Sequence, residues 1–94
     1  MPHSLSATKR ARQNVRQRTR NRAVLRRIRT AQRRFREALE AGDVDAAQER
    51  FREAQRLLHR AAANGPVHRN TAGRTIGRMQ RRLETARQAA GAAG

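Results

Sequence analysis

Phe35-Arg36-Glu37-Ala38-Leu39-Glu40-Ala41-Gly42-Asp43-Val44-Asp45-Ala46-Ala47 holds a helix stop and a helix start in immediate succession. Gly42 supplies the left-handed conformation that closes helices, and Asp43 can accept hydrogen bonds from the exposed N–H groups of a following helix. Backwards from this turn, Ala38, Phe35, Ala31, Ile28 and Val24 are separated by three or four residues, with Leu25 and Leu39 widening the stripe. Forwards, Val44, Ala47, Phe51, Ala54, Leu58 and Ala61 repeat that spacing, and Leu57 broadens it. Both stripes have the period of a helix with one buried face. Asn64-Gly65-Pro66 ends the second helix, because Gly tolerates the cap conformation and Pro biases its predecessor away from helix.

A third stripe follows in Ala72, Ile76, Met79, Leu83 and Ala86, with Asn70 or Thr71 as the expected cap. The predicted fold is therefore all-α, an antiparallel three-helix bundle with an extended basic first helix. The chain reads as one domain over 1–94, with a basic arm over about 6–22, a bundle over about 23–88 and a frayed tail over 89–94. The core is thin, built on residues such as Phe35, Phe51, Leu58 and Leu83, so stability is expected to be marginal. Gly73 and Gly77 share a face of helix three, which fits either close approach of another backbone or plain tolerance.

Helix one is predicted from near Ser6 to Ala41, too long for its partners at 1.5 Å per residue. Residues 6–22 offer only Ala7, Ala11 and Val15 in the apolar register. Around them project Lys9, Arg10, Arg12, Arg16, Arg18, Arg20 and Arg22. Like charges at i, i+4, as in Arg12, Arg16 and Arg20, oppose an isolated helix, so the free arm is expected to fray and to fold on a phosphate backbone.

Charge decides the partner class. The 94 residues carry 23 Lys plus Arg against 7 Asp plus Glu, a net charge of +16, and residues 1–36 hold 13 of the bases and no acid. Such density calls for a polyanion, with nucleic acid ahead of an anionic membrane. Only Lys9 is Lys, a skew that suits bidentate phosphate contact and that a GC-rich genome also produces. The chain has no Cys, and no apolar run long enough for a membrane span or a secretory signal core, so a cytoplasmic location is expected. Glu37, Glu40, Asp43, Asp45, Glu49 and Glu53 form an acidic corner at the first turn, where Arg33 with Glu37 and Arg36 with Glu40 have ion-pair spacing.

Nothing in the sequence assembles a catalytic constellation, and no cofactor or small-molecule substrate is expected. His3, His59 and His68 lack metal-ligand spacing. His68, Arg69 and Asn70, however, place donors at the start of helix three, for phosphate contact or for capping. The two aromatics, Phe35 and Phe51, lie on the apolar stripes, so base stacking is disfavoured and a duplex-like backbone is the expected ligand.

Several stretches resemble the bacterial small-subunit ribosomal protein S twenty family. They are Ser6-Ala7-Thr8-Lys9-Arg10 with Arg12-Gln13-Asn14, Arg20-Asn21-Arg22-Ala23, Phe35 to Asp43, and Val67-His68-Arg69-Asn70 followed by Ala72 and Arg74. The resemblance implies a ribosome-bound binder of small-subunit (16S) ribosomal RNA that aids subunit assembly, with other small-subunit proteins as further partners. Carried over by position, it implies contacts from the arm bases, Asn21, His68, Arg69, Asn70 and Arg74. Arg26, Arg27, Arg34 and Arg78 complete the candidate interface. The alternative is a nucleoid-type DNA-compacting protein; a membrane-active helix would need a larger apolar face on the arm.

Overall fold

Gly42 adopts φ +73°, and the chain reverses there through two paired bonds: its N–H donates to the Leu39 carbonyl at 3.0 Å, and the Asp43 N–H to the Ala38 carbonyl at 3.0 Å. This is a Schellman closure of α1, Pro2–Glu40. The Asp43 carboxylate then accepts from the Ala46 N–H at 3.1 Å and opens α2, Val44–Asn64. Gly65, at φ +102°, donates to the Ala61 carbonyl and closes α2, and α3 runs over Arg69–Ala93. This computed structural model describes the backbone of residues 2–93 and the side chains of residues 5–91; His3 and the last residues of the tail lie outside the described side chains.

Three helices result, with no strand among the described residues. α1 and α3 each pack against α2 and touch one another far less. The core is the three stripes closed on each other: Ile28, Ala31 and Phe35 from α1, five α2 residues from Ala47 to Ala61, and Ala72, Ile76, Met79 and Leu83 from α3. The Phe35 and Phe51 rings sit 6.2 Å apart and tilted by 50°. Alanines occupy five of the twelve core positions, so the helices approach closely while burying little area.

Two helix starts differ from expectation, and the first is that of α1, which begins at Pro2 rather than near Ser6. α3 starts at Arg69 rather than after Asn70 or Thr71, because His68 is the cap: its Nδ1 accepts from the Asn70 N–H at 3.1 Å. Imidazole Nδ1 is bonded to Cγ as the side-chain oxygen of Asn is, so it reaches the same N–H. α3 runs as helix to Ala93, and its alanine-rich end suits that conformation, since Ala is the strongest helix former. The arm is continuous helix with the rest of α1; it contains neither Gly nor Pro, and Arg, Gln and Ala all favour helix, while its opening in the free chain is a matter of local stability that hydrogen exchange reads.

Candidate nucleic-acid interface

Twenty-one residues of α2 return the chain about 31 Å along α1, to the level of about residue 20. Everything earlier in α1 projects beyond the bundle, giving extents of 73 × 21 × 13 Å. Every side chain from Leu5 to Arg20 is exposed, Leu5 and Val15 by 77% and 60%. Lys9, Arg10, Arg12, Arg16, Arg18, Arg20 and Arg22 surround this rod, and none has an ion-pair partner among the described residues. Asn21 is half-buried, at the point where the arm enters the bundle.

His68, Arg69, Asn70 and Arg74 are exposed at that same end of the bundle, because α3 starts where α2 finishes. The expected alternatives for His68, capping or phosphate contact, are compatible. Its Nδ1 is occupied by the cap, which places the imidazole proton on Nε2 and leaves that N–H as an outward donor.

Further along, α1 and α3 form the two walls of a cleft of about 590 Å³. Arg26, Arg29, Arg33 and Arg36 line it from α1, Arg78 and Arg82 from α3, and Phe35 and Met79 also face it; Thr30, Gln32 and Thr75 add polar groups. Arg26 and Arg78 were expected in the interface, whereas Arg29, Arg33, Arg36 and Arg82 were not. The available signal was the spacing of Arg26, Arg29, Arg33 and Arg36, a second helical row beside the apolar stripe. Arg33 lies 3.7 Å from Glu37, both well exposed, but Arg36 forms no pair with Glu40 and turns to the cleft. Arg27 and Arg34 are exposed on α1 outside the cleft.

Gly73 and Gly77 make no close approach inside the molecule. A Cβ at Gly73 would meet nothing within 4 Å, and at Gly77 only the Arg81 Nη2 at 3.8 Å. Glu37, Glu40, Asp43 and Asp45 occupy the opposite end, around the α1–α2 turn, and Glu49 and Glu53 follow along the first half of α2. Arg50 pairs with Glu53 at 3.4 Å, and Glu84 on α3 with Arg87 at 3.1 Å. No helix among the described residues is long and apolar enough to cross a membrane.

The chain is similar to known proteins over nearly its full length. The sequence profile of the family described as ribosomal protein S20 matches residues 2–84. The small ribosomal subunit protein bS20 of Rhodopirellula baltica is 44% identical over 90 residues, covering 96% of this chain and 100% of that protein. Its namesake in Persephonella marina is 40% identical over 87 residues, covering 93% of this chain and 95% of the relative. In a Mycobacterium species the identity is 47% over 72 residues, covering 77% and 84%.

Proposed function

Because the chain belongs to the ribosomal protein S20 family and is a constituent of the small ribosomal subunit, we propose that it binds small-subunit (16S) ribosomal RNA through the phosphate backbone and aids subunit assembly. The observation that carries this reading is the exposed basic rod continuous with α1, whose bases have no carboxylate beside them among the described residues. A guanidinium without a protein partner presents a planar fork matched to two phosphate oxygens, and each contact releases condensed counterions from the RNA.

Arm and bundle act as one binding unit. Lys9, Arg10, Arg12, Arg16, Arg18, Arg20 and Arg22 neutralise phosphates along the rod, Asn21 and the His68–Asn70 turn with Arg74 hold the junction, and Arg26, Arg27, Arg34 and Arg78 extend contact over the bundle. Both aromatic rings are buried, which leaves no platform for base stacking and supports recognition of the backbone. With positive charge on several sides of a narrow rod, RNA segments can converge on it at reduced mutual repulsion. The acidic corner faces away from the RNA and allows neighbouring small-subunit proteins to approach there.

Competition at one fixed salt concentration tests the reading. Labelled 16S transcript bound to the chain is challenged with unlabelled transcript and with duplex genomic DNA at equal nucleotide concentration. Displacement by the RNA at much lower concentration than by the DNA is expected. Equal displacement overturns ribosomal RNA as the preferred ligand and favours a DNA-compacting role.

A further inference from the structure

The α1–α3 cleft has features that the arm lacks. Its six arginines stand in rows rather than around a rod, and no acidic side chain lines it. On α1, Arg26, Arg29, Arg33 and Arg36 follow one another by about a turn and cover about 15 Å of helix axis. On α3, Arg78 and Arg82 are one turn apart. α1 and α3 point in the same direction, each antiparallel to α2, so the two rows lie along a common axis. Among the described residues, Arg33 is the one cleft arginine with a carboxylate within ion-pair range. The buried Phe35 and Met79 below them exclude water from one side of any bound anion, which strengthens its attraction to the guanidinium groups.

We propose that the cleft between α1 and α3 is a slot for a run of consecutive linked phosphates, the backbone of one RNA strand, gripped from both helices. The proposal deepens the RNA-binding reading and rests on it. Rows aligned along a groove select a linear polyanion over a single small anion, whose charge only one or two arginines could reach. A strand seated there also bridges walls that repel each other, so its binding tightens a bundle in which α1 and α3 otherwise meet mainly through α2.

Inorganic tripolyphosphate, titrated calorimetrically into the full chain, probes the slot without bases or sugars. Two variants remove equal charge: Arg29→Gln with Arg82→Gln in the cleft, and Arg52→Gln with Arg56→Gln on the exposed face of α2, outside both the cleft and the arm. The cleft variant is expected to bind tripolyphosphate about tenfold more weakly or worse, through loss of two charge-assisted contacts, while the α2 variant stays within about twofold. Orthophosphate should bind the parent chain much more weakly than tripolyphosphate. Tripolyphosphate should raise the melting temperature of the parent chain and of the α2 variant but not of the cleft variant.

Arg29→Lys with Arg82→Lys keeps the charge and the apolar stems over Phe35 and Met79, so it retains the packing while losing the fork; intermediate affinity is expected. Equal weakening by cleft and α2 variants, or none by either, overturns the slot. Binding of 16S transcript by the parent chain is measured beside it. If the transcript binds and tripolyphosphate does not discriminate, the slot alone fails; if the transcript does not bind, the RNA-binding reading fails.

Discussion

Gly73 and Gly77 lie within α3, where a Cβ would meet open space at Gly73 and only an ordinary contact with the flexible Arg81 side chain at Gly77, so nothing among the described residues requires glycine there. Gly73→Ala and Gly77→Ala should each stabilise the free chain by about 0.5–1 kcal/mol in urea denaturation followed by circular dichroism. Gly42 provides the contrast: although its Cβ would also meet empty space, φ is +73°, and Gly42→Ala should destabilise by about 1–2 kcal/mol. His68 is a cap as well as a surface donor. His68→Ala should remove the bond to the Asn70 N–H and destabilise by about 0.5–2 kcal/mol, while His68→Asn, with an acceptor at the same reach, should recover most of the loss. Equal destabilisation by both substitutions would contradict the capping role.

At the scale of elements, α1 is two things joined end to end. From Val24 onward it is anchored by Ile28, Ala31 and Phe35; before Asn21 the described residues, 5–20, are all exposed. Phe35→Ala should cost about 3–5 kcal/mol, since the ring is 1% exposed and packs with Phe51, and a small bundle has little stability to spare. Amide hydrogen exchange should separate the two halves, with residues 5–20 exchanging orders of magnitude faster than Phe35 or Leu58 in the free chain. Uniform protection along α1 would contradict that division.

The three helices and the turns at Gly42 and Gly65 were legible in the sequence because each stripe is strictly periodic and each break carries a chemically specific residue. His68 was harder to read as a cap, since imidazole is not a usual capping group and Asn70 and Thr71 competed for the role. The arginine cleft was half legible. Arg26 and Arg78 were identified, but Arg33 and Arg36 stood at ion-pair spacing from Glu37 and Glu40, and that local pairing hid the row facing α3. The approach of α1 and α3 is a tertiary relation between residues some fifty apart, and periodicity within one helix carries no information about it.

Taken whole, the molecule is a charge gradient on a scaffold 73 Å long, with an arginine rod at one end, an arginine cleft at the middle and carboxylates around the far turn. In free solution the basic parts repel themselves; on a polyanion the same groups become contacts. That exchange, guanidinium for counterion, is the central claim. It is measured most directly by the affinity of the full chain for 16S transcript across a salt series. With on the order of eight phosphates engaged, log K should fall against log salt with a slope steeper than about −5, and Arg16→Ala with Arg22→Ala should make the slope shallower by one to two units, roughly, without altering the urea midpoint of the bundle. An affinity indifferent to salt, or a slope unchanged by those substitutions, would contradict it.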